Sequence, residues 1–241
     1  MKTDFKKMKT KIFVTLVLLF FLFSVKAQIQ LTISDSVVTD IDGNTYKTVR
    51  IGNQVWMAEN LRVTHYRNGD PVLTTIPDTL DYRSESTPKY QFVYNNDERN
   101  LKLYGRLYTW YAATDSRNIC PVGWHLPTID EYKTLDEALG GKNVAIGKLK
   151  WAGTDYWLSP NTDATNECGF NGLPSGWRSA KGKYSMLGKY GHWWCSDMQT
   201  PEYAFRMFLS FDDSCYKNHL GSSDPQTAWS VRCVKDAPVT P

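Results

Sequence analysis

One strongly capped helix stands in the middle of a chain whose other segments have the patterns of short strands. Thr128 and Glu131 form a Thr-x-x-Glu capping box, in which each side chain can accept a hydrogen bond from the other residue's backbone N–H. Apolar residues then recur at helical spacing, at Tyr132, Leu135 and Leu139. A Gly-Gly pair follows and favours the left-handed backbone that ends a helix. The pattern predicts one well-capped helix over residues 129–139.

Strand patterns lie on both sides of this helix. Residues 37–51 contain two β-rich runs around Asp42-Gly43, a dipeptide that takes the positive φ of a tight hairpin turn. Residues 203–211 alternate apolar and polar side chains, and residues 228–234 have the composition of a final strand. Long connections containing glycine and proline separate these runs. The sequence therefore predicts an α+β fold with mixed or antiparallel strands and long loops.

The N-terminus has the pattern of a cleaved signal peptide. Lysines precede an apolar run over residues 12–23, and Val25 and Ala27 occupy the small-residue positions that a signal peptidase requires. The alternative is a membrane anchor, which needs about 20 apolar residues, more than this run supplies. We expect a signal peptide over residues 1–27, cleavage before Gln28 and no membrane span afterwards. The protein would then be secreted, periplasmic or held at the cell surface.

Removal of this leader changes the charge of the chain. The full sequence has 28 basic and 25 acidic side chains, and the leader carries six lysines and one aspartate, which leaves 22 and 24. No basic cluster remains that could follow a phosphate backbone, so nucleic-acid binding has no electrostatic support. The remaining residues divide into a lead-in over 28–36, one domain over 37–236 and a tail over 237–241.

Several short motifs resemble a known family, and they occur in that family's order. They include Cys-Pro-x-Gly-Trp-His-Leu-Pro-Thr at 120–128 and Ser-Val-Arg-Cys-Val-Lys-Asp at 230–236. The other matching blocks lie at 42–46, 51–61, 104–108, 169–174 and 191–194. Together they resemble the Fibrobacter succinogenes major paralogous domain family. The resemblance implies a C-type-lectin-like fold, related to the formylglycine-generating-enzyme fold, and an exported or surface protein of Bacteroidetes- or Fibrobacter-like bacteria. The family has no settled biochemical activity.

The resemblance also implies one disulfide. Five cysteines allow at most two bridges, and the residues alone do not select among the possible pairings. C-type-lectin-like domains join a cysteine near the first helix to one in the last strand, which corresponds to Cys120 and Cys233. We expect one further bridge among Cys168, Cys195 and Cys215, with one thiol left over.

Aromatic side chains are the candidate ligand-binding residues. A sugar ring stacks on an aromatic ring while planar polar groups bond its hydroxyls, and the C-terminal half of the chain is rich in aromatics. The candidates for such a site are Trp177, Tyr184, Tyr190, Trp193 and Trp194. Trp193 and Trp194 are adjacent, so in a strand they face opposite sides, and we expect at most one of them in the core. The competing interpretation is that most of these rings are core residues.

Catalytic and cofactor motifs are absent from the sequence. The calcium-binding Asn-Asp and Glu-Pro-Asn patterns of lectins do not occur, and no two cysteines lie close enough in sequence for the copper site of formylglycine-generating oxidases. The four histidines lack metal-ligand spacing, and no nucleophile motif occurs. We expect a non-catalytic binding module without cofactor or metal, whose partner is a polysaccharide or a surface protein. The alternatives are a structural or protein-interaction envelope protein and, less favoured, a copper oxidase.

Overall fold

Short strands and helices connected by long loops build the fold. The computed structural model describes residues 36–213 and 219–237, so the expected signal peptide and Cys215 lie outside the described residues. The described strands are β1 (Val37–Thr39), β2 (Thr45–Ile51), β3 (Gln54–Met57), β4 (Gln91–Phe92), β5 (Leu107–Thr109), β6 (Trp124–His125), β7 (Trp177–Arg178), β8 (Tyr184–Ser185), β9 (Tyr190–Thr200), β10 (Tyr203–Ser210), β11 (Leu220–Ser223), β12 (Ala228–Ser230) and β13 (Val234–Lys235). The helices are α1 (Glu98–Tyr104), α2 (Trp110–Ala113), α3 (Ile129–Ala138) and α4 (Lys142–Leu149). Within these ranges no helix has the length and apolar character that a membrane span requires.

The predicted hairpin is confirmed. Strands β1 and β2 pair antiparallel, with Thr39 opposite Thr45. The Asp40 carboxylate organises the turn between them, because Oδ1 accepts from the backbone N–H groups of Asp42 at 3.0 Å and Asn44 at 2.9 Å. An Asp side chain that bonds its own turn in this way stabilises the turn without any ion.

The capped helix is confirmed as well. Helix α3 begins after Thr128, whose Oγ1 accepts from the Glu131 N–H at 3.1 Å, while Glu131 Oε2 accepts from the Thr128 N–H at 2.8 Å. The sequence predicted no second helix here, and α4 directly after Gly141 corrects that. Its Gly147 lowered the helical signal, but a Cβ at this position would lie 2.3 Å from the Asp163 carbonyl oxygen. Close backbone packing, and not helix propensity, therefore determines that residue.

Two sheets, almost entirely antiparallel, contain these strands. The smaller has the order β1-β2-β3-β13-β6, and the larger has the order β11-β10-β9-β12-β5-β4, with β7 joining β12 to β8. The exception is the parallel contact of β12 with β9, where Ser230 lies opposite Trp193. The predicted α+β class is confirmed.

The C-terminal segment takes part in both sheets. The sequence predicted one strand over 228–234, but β12 lies in the larger sheet and β13 in the smaller. The backbone passes from the larger sheet to the smaller one around Arg232. The fully buried guanidinium of this residue donates a hydrogen bond to the carbonyl oxygen of Phe170. The predicted disulfide between Cys120 and Cys233 is confirmed and fixes this crossing to the start of β6.

A polar network lies in the core between the sheets. Asn60 Oδ1 accepts from Trp193 Nε1 at 2.8 Å and from Arg232 Nη2 at 2.7 Å. Asn60 Nδ2 donates to the Tyr104 carbonyl oxygen at 2.9 Å and to Ser230 Oγ at 3.3 Å. All five of these residues belong to the family-like motifs, so the motifs encode the interior of the fold.

Candidate functional site

Two of the five predicted ligand-binding residues meet at the surface. Trp177 on β7 and Tyr190 at the start of β9 have nearly parallel rings, with centroids 6.0 Å apart and 11° between the planes. Both side chains are half-buried, so part of each ring faces solvent. Phe211, also half-buried, extends the group, with its ring 6.4 Å from that of Tyr190. We call Trp177, Tyr190 and Phe211 the aromatic surface.

Gly176 brings the two strands of this surface together. Its N–H donates to the Tyr190 carbonyl oxygen at 2.8 Å, and its φ is +61°. A Cβ at this position would lie 2.4 Å from the Ser185 carbonyl oxygen. Only glycine combines that backbone conformation with so close an approach.

Tyr184 is near this surface in sequence but is held by other partners. Its hydroxyl donates to Asp78 Oδ1 at 2.6 Å, and its ring packs on Tyr94 with centroids 5.1 Å apart. Burial, together with the Asp78 carboxylate, raises the pKa of the Tyr184 phenol well above its ordinary value. The side chain anchors the loop around residue 78 to β8, which is a structural role.

Trp193 and Trp194 are not available to a ligand, which corrects the expectation that one of them faces outward. Both side chains are fully buried. Strand β9 is central in its sheet, and each of its faces packs against a separate hydrophobic cluster, one containing Trp193 and the other Trp194. The Trp194 indole N–H donates to the Tyr108 carbonyl oxygen at 2.8 Å, as expected for a buried tryptophan.

The buried His192 packs against the inner side of the aromatic surface. The sequence did not identify this residue as part of the site. The His192 ring lies 4.6 Å from that of Trp229, 4.8 Å from that of Phe208 and 5.2 Å from that of Trp177. Neither ring nitrogen has a hydrogen-bond partner among the described residues. Burial lowers the pKa of His192 well below its ordinary value, with Arg206 adding to the effect, so the ring is neutral and acts as an aromatic packing group. The strand alternation that places residue 192 on the same face as residue 190 was the available signal.

His125, in contrast, is a polar anchor. Its Nε2 lies 2.8 Å from Glu131 Oε1 and its Nδ1 lies 2.6 Å from Asp236 Oδ1. The Glu131 hydrogen bond, supported by that of Asp236, raises the pKa of His125. Both nitrogens are engaged, which leaves no ring atom for a ligand, and the residue joins the start of α3 to the end of β13.

The remaining described cysteines are unbridged. Cys168 and Cys195 are buried thiols, so the expected second disulfide is wrong for these two residues. Burial raises the pKa of Cys168 to about 11 and that of Cys195 well above its ordinary value. A thiol is nucleophilic and metal-binding as the thiolate, so both groups are chemically quiet at neutral pH. Within residues 36–213 and 219–237, no cluster of His, Cys, Asp and Glu side chains has a geometry suited to a metal ion.

Comparison with known proteins assigns the chain to a family. No curated protein and no solved structure matches it significantly. The profile of the Fibrobacter succinogenes major domain matches residues 49–235, which is most of the chain and nearly all of the two sheets described above. This chain therefore belongs to the Fibrobacter succinogenes major domain family.

Proposed function

We propose that this protein is an exported, non-catalytic binding module that recognises carbohydrate through the aromatic surface. The parallel, half-exposed rings of Trp177 and Tyr190 carry the proposal. The C–H face of a sugar ring is apolar and its rim is polar. Tryptophan and tyrosine offer the complementary combination of a flat apolar body and a polar edge.

The surroundings of the surface favour such a ligand. The rings are supported by His192 and by the strands β9 and β10, so they need not be ordered when a ligand binds, which lowers the entropic cost of binding. Lys189 is exposed, and its Nζ lies 6.0 Å from the centre of the Phe211 ring. An ammonium at this edge supplies hydrogen-bond donors for ring hydroxyls.

The fold and location belong to the same proposal. We infer a C-type-lectin-like fold from the sequence motifs together with a disulfide that joins the chain just before α3 to the end of the domain. Disulfides persist in oxidising compartments, which supports export to the periplasm, the cell surface or the medium. The leader pattern over residues 1–27 points to the same compartments.

Burial of the reactive side chains supports the non-catalytic part. The copper-oxidase alternative would need accessible thiolates, whereas Cys168 and Cys195 are buried and their pKa values are raised. His125 has both nitrogens engaged by carboxylates, and the neutral His192 is covered by aromatic rings. None of these four groups is placed to act on a ligand at the aromatic surface.

Glycan-array screening of the purified oxidised protein, followed by titration of the best ligand, tests the proposal. We expect Trp177→Ala and Tyr190→Ala each to weaken binding at least tenfold, about 1.4 kcal/mol. Tyr203→Ala is the matched control, because Tyr203 is half-exposed at the opposite end of the β9–β10 ladder. It should leave the affinity unchanged.

The competing role is a structural or protein-interaction component of the envelope. If no glycan binds, or if the control variant weakens binding as much as the two surface variants, the carbohydrate proposal fails. Pull-down from envelope fractions with the wild type and with Trp177→Ala would then examine the protein-interaction role.

A further inference from the structure

A second pair of half-exposed aromatic rings lies on the loop that connects helix α4 to strand β7. Trp151 and Tyr156 are both half-buried, with their ring centroids 5.5 Å apart and 68° between the planes. Residues 152–155, which connect the two rings, are exposed. The binding surface proposed above does not include this pair.

Internal hydrogen bonds hold this loop in one conformation. Asn161 is 5% exposed, and its Nδ2 donates to the carbonyl oxygens of Trp151 at 2.9 Å and Gly153 at 2.6 Å. The indole N–H of the buried Trp157 donates to the Gly172 carbonyl oxygen at 3.0 Å. The loop is therefore ordered before a ligand arrives, which lowers the entropic cost of binding.

The loop is joined to both strands that carry the aromatic surface. The Leu158 N–H donates to the Gly188 carbonyl oxygen at 2.8 Å, two residues before Tyr190. The Thr162 N–H donates to the carbonyl oxygen of Phe211 at 2.9 Å. One of these bonds reaches a member of the aromatic surface, and the other reaches its immediate neighbourhood.

The spacing of the two aromatic groups suits a short chain of linked sugars. The Tyr156 carbonyl oxygen would lie 3.7 Å from a Cβ on Gly188. Because consecutive Cα atoms are about 3.8 Å apart, the Cα atoms of Tyr156 and Tyr190 lie within about 15 Å of each other. A single sugar ring covers one aromatic pair, whereas a few linked sugars reach over this distance.

Exposed apolar side chains accompany the connection between the two groups. Leu158 is 48% exposed, and its Cγ would lie 3.4 Å from a Cβ on Gly188. Met186 is 40% exposed, and its carbonyl oxygen accepts from the Tyr190 N–H at 3.1 Å. Both side chains offer apolar contact to the C–H faces of sugars that pass from one aromatic pair to the other.

We propose, on the basis of the carbohydrate function above, that the loop over residues 151–158 is a second sugar subsite and that the ligand is a polysaccharide chain. Trp151 and Tyr156 supply the same flat apolar bodies and polar edges as the first aromatic pair. Two linked subsites raise the affinity only of a ligand that is long enough to occupy both. Binding should therefore depend on chain length.

Isothermal titration of the oxidised protein with a disaccharide and a hexasaccharide tests this proposal. Both probes come from one homopolymer, the best binder among fragments of cellulose, xylan, mannan, chitin and starch. We expect the hexasaccharide to bind about thirtyfold more tightly, which exceeds the gain from its larger number of binding registers. Tyr156→Ala should weaken hexasaccharide binding about tenfold and disaccharide binding less than about threefold. Trp177→Ala should weaken the binding of both probes about tenfold.

Tyr156→Phe and Tyr111→Ala are the controls. Phenylalanine keeps the ring, so Tyr156→Phe should retain most of the hexasaccharide affinity. Tyr111 is also half-buried and packs edge-to-face on Trp110, with 5.6 Å between the ring centroids. The Trp110 indole N–H donates to the Cys195 carbonyl oxygen, on the part of β9 away from Tyr190. Tyr111→Ala should therefore leave the affinity for both probes unchanged.

Similar affinity of the wild type for the two probes would overturn the proposal, and so would a Tyr156→Ala variant that affects both probes equally or neither. The carbohydrate function would stand in each case. The comparison of the two probes on the wild type needs no variant, so it decides the matter even if Tyr156→Ala does not fold. Absence of binding by every fragment would also overturn the second subsite, while the glycan array decides the carbohydrate function separately.

Discussion

Replacing Asn60 with alanine should strongly destabilise the protein, because its side chain makes four hydrogen bonds inside the core. Trp193 Nε1 would lose the partner it has at 2.8 Å. Arg232 would lose its bond at 2.7 Å and keep its contacts with the carbonyl oxygens of Phe170 and Asn171.

The loss of unfolding free energy in Asn60→Ala follows from the buried partners of Asn60 that would be left without a hydrogen bond. Each buried group left without a partner costs about 1–3 kcal/mol, and the guanidinium is charged, which predicts a loss of about 3–5 kcal/mol. Asn60→Asp keeps the acceptor for Trp193 and Arg232 but loses the donor to the Tyr104 carbonyl oxygen, so its loss should be intermediate.

Urea unfolding of the oxidised protein, followed by tryptophan fluorescence, measures these free energies, and the slope with denaturant should be unchanged. Asn68→Ala is the control, because Asn68 is exposed in a turn, and it should cost less than about 0.5 kcal/mol. A loss below 1 kcal/mol for Asn60→Ala would refute the argument that this network stabilises the core.

Three further predictions concern other parts of the fold. Replacing both members of the Cys120–Cys233 disulfide by alanine should lower the free energy of unfolding by about 4–5 kcal/mol, measured by denaturation without reductant, because the bridge closes a long loop. The raised pKa of His125 means that its ion pairs contribute below its ordinary pKa of 6.5 and are lost as pH rises through the higher folded value. The destabilisation caused by His125→Gln in urea should therefore be larger at pH 6 than at pH 9, and an equal loss at both would contradict this. Gly176→Ala should cost about 2–4 kcal/mol in thermal or urea unfolding, because it combines a positive φ with a steric clash, whereas Gly43→Ala, with positive φ but open space, should cost only about 1 kcal/mol.

Local sequence signals were sufficient to predict the start of helix α3 and the first hairpin turn. The capping box at Thr128 and Glu131 determines where α3 begins, and Asp42-Gly43 determines the first turn. At the helix the residues that carry the signal also make the hydrogen bonds, whereas at the turn the side-chain hydrogen bonds come from the neighbouring Asp40. The α+β class could be predicted because it depends on the number and type of such elements.

Long-range packing decided the features that the sequence did not reveal. Strand alternation correctly placed Trp193 and Trp194 on opposite faces, but it carried no information on whether both faces are covered. The same limit applies to His192, whose aromatic neighbours come from β7, β10 and β12. For the candidate site, the sequence identified Trp177 and Tyr190 as aromatic candidates. It did not predict that their two rings lie next to each other.

Because the last few residues of the domain supply strands to both sheets, neither sheet can be completed before those residues have been synthesised. Val234 pairs with Trp56, and Ser230 with Trp193, so β3 and β9 each lack one neighbouring strand until residues 228–235 have been made. Contacts between such distant parts of a sequence form slowly. Both sheets therefore depend on the same late segment, and a change in residues 228–235 should disturb the assembly of both.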